Sequence, residues 1–140
     1  FLNVEKTIEA LETFGVTTVG YKTDSFPLFY SSESKNKLQY RFNSVSGLVG
    51  TYRKNIKNQL QSSLLVLNPV PKKDEILEEK IKNIFSNSIS KMEKLGIVGN
   101  NTTPFLLNEI AKKTKNKSLE TNISLALNNI KLGAKIALKM

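Results

Sequence analysis

At 140 residues, 39% hydrophobic and 24% charged, the chain has the length of one domain and an ordinary globular make-up, which excludes a disordered polypeptide. It contains no cysteine and no histidine, which excludes a disulfide framework, a thiolate nucleophile, a Ser/His/Asp triad and a zinc site of the usual ligands. The net charge of +9 comes from nineteen lysines against two arginines, Arg41 and Arg53, so the residue that reads phosphate and guanine bidentately is nearly missing, and with fifteen asparagines the excess reads as a Lys/Asn bias rather than a nucleic-acid surface.

Asn3 is a good N-cap, Val4, Ile8, Leu11 and Phe14 recur at helical spacing, and Gly15 is a stop, which predicts a first helix over 4–14. No initiating Met precedes it, so this opening reads as the interior of a longer polypeptide. Residues 16–22, VTTVGYK, form a strand reached through a short turn, the connection expected in α/β folds. After a loop holding Asp24, Ser25 and Pro27, residues 37–42, KLQYRF, alternate well enough for a second strand at an edge. Residues 47–61 carry a weaker helical stripe of Leu48, Val49, Tyr52, Ile56 and Leu60. Leu64 to Leu67 is a continuous apolar run broken by Pro69 and Pro71, the pattern of a strand buried on both faces.

Asp74 is expected to cap a long amphipathic helix that buries Leu77, Ile81, Ile84, Phe85, Ile89 and Met92 and ends at Gly96. Thr103 as N-cap and Pro104 at the first helical position start another helix, closed by lysines that suit its dipole. Ser118 caps the last helix, which runs to the chain end. The sum is a helix-rich α/β chain, a partial α/β/α layered domain in one region, 1–140, with a small, mainly parallel sheet. So few strands leave open sheet edges and an apolar final helix that call for partners this chain does not supply.

The final helix carries the most chemistry. Asn122, Leu125, Ala126, Asn129, Gly133 and Ile136 share one stripe, so two carboxamides sit on an otherwise apolar face. A buried amide without a partner costs about 1 to 3 kcal/mol, so Asn122 and Asn129 either tie the helix to a neighbouring loop or contact a ligand. Asn128 shares its stripe with Thr121, Ser124, Lys131 and Lys135, a solvent-like face. Asn68 follows the carboxyl end of the apolar strand, where ligands settle in open α/β sheets, and joins the candidates; a purely structural turn at Pro69 and Pro71 is the alternative. The aromatic loop of Phe26, Pro27, Phe29 and Tyr30 reads as core. Glu78 and Glu79 sit among Lys80 and Lys82 on a solvated face and are no acid/base pair. No catalytic residue and no metal ligand is assigned within the chain.

ETFGVTTVGYKTDSFPLFY at 12–30, LLVLNPVPKKDEI at 64–76, GIVGNNTTPFLL at 96–107 and KSLETNISLALNNIKLGAKIA at 117–137, in that order, resemble the pseudouridine-5'-phosphate glycosidase family, also called indigoidine synthase A-like proteins. The resemblance covers essentially the whole chain, and the last block, with its SLxxN and LxxNN pattern, is the most specific. It implies an enzyme that reversibly splits the carbon–carbon glycosidic bond of pseudouridine 5'-phosphate, giving uracil and ribose 5-phosphate, with a divalent metal such as Mn2+. In that family a lysine forms an adduct with the opened ribose and a glutamate handles protons. Both lie upstream of Phe1, as do the metal-ligand aspartate and most phosphate contacts, so the chain looks like a C-terminal half that is inactive alone. The family's SLxxN asparagine matches Asn122. Lys72 and Lys73 depart from the acidic residues usual after the second proline.

The implied partners are the nucleotide substrate, the remaining N-terminal half and, by family likeness, the other members of a homotrimer. No apolar run nears the roughly 20 residues of a spanning helix. No charged, apolar leader opens the chain, and the missing cysteine suits a cytoplasmic protein, so neither a membrane nor a nucleic acid is expected as partner. The rival readings are a basic nucleic-acid-binding module, which would bind with steep salt dependence, and a non-catalytic interaction module docking through its last helix.

Overall fold

The structure is a computed structural model that describes residues 4–60 and 62–140. The expected Asn3 cap lies outside the described residues. Helix α1, Val4–Thr13, is closed by Gly15 at φ 65°. There the Val16 N–H bonds the Leu11 carbonyl and the Gly15 N–H bonds that of Glu12, a Schellman ending that needs a left-handed residue. Strand β1, Thr17–Tyr21, follows at once. A loop leads to β2, Tyr40–Phe42, and α2, Val45–Lys57, begins two residues earlier than the stripe predicted. Its N-cap is Ser44, whose hydroxyl accepts from the Gly47 N–H at 3.1 Å. Strand β3 is Leu64–Leu67.

The order is β2-β1-β3, and both pairings are parallel as expected, although only β2 and β3 are separated by a helix; β1 and β2 are joined by the 22–39 loop. Gly20 in β1 has no room for a side chain: a Cβ there would lie 2.1 Å from the Thr23 carbonyl oxygen. One expectation fails at β3. It pairs only with β1 among the described residues, Leu65 is 37% exposed, and the rest of the strand is half-buried, not covered on both faces. Its composition suits a sheet interior that these residues do not complete.

The segment after β3 also differs from the sequence expectation. Asp74 does not cap a helix; it ends a 3-10 turn, Lys72–Asp74, and α3 starts only at Glu78, with Leu77 in the cap position and no side-chain cap bond. The intervening residues are held elsewhere, since the Ile76 N–H bonds the Tyr30 carbonyl at 2.8 Å and the Asp74 carboxylate accepts from Ser124. Helix α3, Glu78–Lys94, ends at Gly96, φ 64°, as expected. A 3-10 turn, Gly99–Asn101, runs into α4, Thr102–Lys113, so Asn101 and not Thr103 holds the cap position. Pro104 is then the third helical residue, still in the first turn, where its missing N–H costs no intrahelical bond.

Ser118 does not cap α5, Lys117–Ala137, either; it lies inside the first turn, and its N–H is bonded by the Thr114 hydroxyl at 3.1 Å. The core gathers Tyr30, Ile76 and Ile110, with Phe29, Ile81, Ile84 and Phe85 packed against them. The aromatic loop is therefore packing, as read, with Phe29 and Tyr30 edge to face at 4.7 Å. No helix among the described residues is long and apolar enough to cross a membrane.

Candidate functional site

Parallel strands bring the carboxyl ends of β1 and β3 to one side of the sheet, and the chain leaving β3 there is Asn68 to Asp74. Helix α5 fixes that segment through four side chains. Asn68 Nδ2 donates to Asn129 Oδ1 at 3.0 Å, and Asn128 Nδ2 donates to the Pro69 carbonyl at 2.9 Å. Ser124 Oγ donates to Asp74 Oδ2 at 2.6 Å, and Thr121 Oγ1 donates to the Asp74 carbonyl at 2.7 Å.

Thr121, Ser124 and Asn128 are spaced i, i+3, i+7, so they form one stripe. That stripe was read as solvent-like, and the structure corrects this: Thr121 is 0% exposed, and Ser124 and Asn128 are half-buried. Periodicity sees only that a face is polar; here its partners are carbonyls and a carboxylate of a turn some fifty residues away in sequence. The signal that would have found them is the unassigned acceptor set of that proline-stiffened turn.

Of the three asparagines picked from the sequence, the structure brings two together. Asn68 and Asn129 share a hydrogen bond and line a cleft of about 370 Å³ with Phe29, Val66, Leu125 and Ile136. Asn122 lies two helical turns back, about 10 Å along the axis. It is half-buried, and its side chain bonds to no other described residue. The face read as buried is therefore only partly covered: Leu125 and Ile136 are half-buried while Ala126, Asn129 and Gly133 are exposed. Asn129 lines the open cleft rather than packed core, and Asn122 is not among the residues that line it.

No ionisable side chain lines this cleft. Its chemistry is that of an apolar floor with amide donors and acceptors at one end, which can bind and orient a ligand but has nothing to move a proton. Glu75 is one of the perturbed carboxylates. It accepts from both the N–H and the hydroxyl of Ser32, at 2.9 and 2.5 Å, and these bonds hold its carboxyl below the usual range. The contact staples the 25–34 loop to the segment before α3 and is structural. Burial pushes the Tyr30 phenol up. All nineteen lysines are exposed, so none has the desolvated setting that lowers an amine into reactivity. Among the described residues no three His, Cys, Asp or Glu converge as metal ligands.

A small parallel sheet with helices around it, and a polar-rimmed cleft at the strand carboxyl ends, define a helix-rich partial α/β domain. Residues 1–139 match the model of the family described as indigoidine synthase A like protein, and the chain belongs to that family. It is 38% identical over 139 residues to a pseudouridine-5'-phosphate glycosidase of Kosmotoga olearia, covering 99% of this chain and 48% of the relative. It is 40% identical over 136 residues to one of Fervidobacterium nodosum, covering 97% and 46%.

A crystal structure of an indigoidine synthase A-like protein from Thermotoga maritima superposes with a TM-score of 0.84 at 36% identity, covering 99% of this chain and 46% of that one. The prealnumycin C-glycosynthase AlnA, crystallised with ribulose 5-phosphate, shares the fold, with a TM-score of 0.74 at 21% identity over 93% of this chain and 47% of that one. The chain thus spans about half the length of the relatives it matches.

Proposed function

We propose that the chain is the C-terminal part of a pseudouridine-5'-phosphate glycosidase, an enzyme that reversibly cleaves the carbon–carbon glycosidic bond of pseudouridine 5'-phosphate to uracil and ribose 5-phosphate. The observation that carries this reading is the 38 to 40% identity to relatives of that name along nearly all of this chain.

In this reading the chain binds and orients while catalysis is supplied from outside it. Attack on a sugar carbonyl needs an amine with depressed pKa beside a general acid, and the exposed lysines here offer neither. The reactive lysine and the proton-handling glutamate therefore come from the upstream half. Asn122, matching the SLxxN asparagine, and the Asn68 and Asn129 pair are the proposed substrate contacts, since a carboxamide offers one acceptor and two N–H donors to a planar heterocycle or a sugar hydroxyl.

The described residues do not fit a metal, so Mn2+, if bound by the whole enzyme, takes its ligands from the other half, and no step is assigned to it here. A cytoplasmic homotrimer is the corresponding proposal for location and assembly.

The test measures uracil release from pseudouridine 5'-phosphate by the purified 140-residue chain and by a chimera in which this chain replaces the matched segment of the Kosmotoga olearia relative. The reading expects turnover by the chimera and none by the chain alone. Turnover by the isolated chain would overturn the division of labour, and a folded, inactive chimera would overturn the assignment.

A further inference from the structure

Helix α5 is held weakly by apolar packing over the stretch that carries the proposed substrate contacts. Its buried side chains are Ser118, Thr121 and Leu132, so about three turns pass between Thr121 and Leu132 without one. The apolar residues in that stretch, Ile123, Leu127 and Ile130, are each more than half exposed. Burial of an apolar stripe is what ordinarily fixes the roll of a surface helix about its axis. Here that task falls to polar ties.

The ties nearest Asn122 converge on one residue. Thr121 Oγ1 donates to the Asp74 carbonyl at 2.7 Å and Ser124 Oγ donates to Asp74 Oδ2 at 2.6 Å, so Asp74 grips α5 just before and just after Asn122. Asp74 is itself anchored. Its N–H bonds the Pro71 carbonyl at 2.8 Å, and two residues on, the Ile76 N–H bonds the Tyr30 carbonyl at 2.8 Å while the Ser31 hydroxyl donates to the Ile76 carbonyl at 3.0 Å. Tyr30 and Ile76 belong to the core, so the grip ties α5 to the packed centre of the molecule.

The Asn122 carboxamide has no hold of its own. No described residue bonds it, so its place follows the helix that carries it. A carboxamide about 6 Å from the axis moves roughly 2 Å when the helix rolls by ~20°. Misplacing a contact by about 1 Å can cost on the order of a hundredfold in rate, so a small roll is enough to lose one.

We infer that Asp74 is a positioning residue: by holding Ser124 and Thr121 it sets the roll of α5 and thereby aims the Asn122 carboxamide at the substrate. This rests on the glycosidase reading and on Asn122 as a contact within it. The Ser124 arm is the separable one, because the Thr121 arm ends on a backbone carbonyl that no substitution at Asp74 removes.

A double-mutant cycle in the chimera tests this, with kcat/KM for pseudouridine 5'-phosphate measured where every variant is folded. Ser124→Ala and Asp74→Ala are each expected to lower it by about fivefold or more, and Asp74→Asn, which keeps an acceptor for the Ser124 hydroxyl, to stay within about twofold of the parent. In an Asn122→Ala background the same Ser124→Ala change should cost less than about twofold, since there is no carboxamide left to misplace. Ser32→Ala breaks a hydroxyl-to-carboxylate tie of the same kind, to Glu75, without touching α5, and should leave kcat/KM within about twofold.

A Ser124→Ala loss of the same size with and without Asn122 would show a general structural effect and overturn the inference. Parental kcat/KM in Ser124→Ala and Asp74→Ala would overturn it as well. Either result in a chimera that turns over substrate leaves the glycosidase reading standing, whereas a folded, inactive parent chimera overturns that reading and this inference with it.

Discussion

The Ser124 hydroxyl donates to the Asp74 carboxylate at 2.6 Å, joining α5 to the end of the segment that leaves β3. Thr121, one turn earlier, bonds the backbone carbonyl of the same residue. The side of the sheet that carries the cleft is thus shaped by a helix that lies at the far end of the sequence. Thr121→Val keeps the shape of a fully buried side chain and leaves the Asp74 carbonyl without this donor. It should destabilise the chain by about 1 to 3 kcal/mol in urea unfolding, with Thr121→Ser largely restoring the loss. A Thr121→Val variant as stable as the parent would show that the tie is not energetically used.

Asn128 and Asn129 are neighbours with different duties. Asn128→Ala removes the donor to the Pro69 carbonyl and should cost about 1 kcal/mol in the same measurement. Asn129 is exposed, and its bond to Asn68 is solvated, so Asn129→Ala should stay within about 0.5 kcal/mol of the parent. The reverse order would place the structural tie on the wrong residue.

Gly20→Ala should disrupt the central strand. The added methyl would meet the Thr23 carbonyl oxygen at 2.1 Å and the Leu38 side chain at 2.9 Å, and the first contact is backbone that cannot rotate away. A loss of about 2 to 4 kcal/mol is expected by thermal or urea unfolding. Gly50→Ala, where nothing lies within 4 Å of the new methyl and the residue is inside α2, should be neutral or stabilising.

The Glu75 carboxyl is held below its ordinary value of 4.5 by the two Ser32 donors, the hydroxyl first. Because its folded value is depressed, the stabilisation it contributes is present above the unfolded value and is lost as pH falls through the folded one. Unfolding midpoints measured from pH 6 downward should therefore fall less steeply in Glu75→Gln or Ser32→Ala than in the parent below about pH 4.5. Parallel curves would contradict the contact.

The parallel sheet was legible from its strand runs and the helix between β2 and β3, while the parallel pairing of β1 with β2 across a loop was not; the glycine stops at Gly15 and Gly96, both left-handed, marked the ends of α1 and α3. The helix starts were less legible. Asp74 and Ser118 have cap chemistry, but tertiary partners claimed them: Ser124 for Asp74, and Thr114 for Ser118. Local propensity cannot see a donor from another element. The same limit hid the Thr121, Ser124 and Asn128 tie, while the Asn68 and Asn129 pairing was half visible, as two amides placed at the right ends of a strand and on the right helix. That the sheet has open edges was legible from its few strands; that β3 is one of them was not, since an apolar run reads as buried whether or not its cover belongs to the same segment.

The most direct measurement is kcat/KM for pseudouridine 5'-phosphate in the chimera, taken for Asn122→Ala, Asn129→Ala and Asn128→Ala at a temperature where all are folded. Losses of tenfold or more, about 1.4 kcal/mol or more, are expected for Asn122→Ala and Asn129→Ala, and a smaller loss for Asn128→Ala. Parental kcat/KM in the Asn122 and Asn129 variants, or equal losses in all three, would contradict the claim that these two asparagines face the substrate.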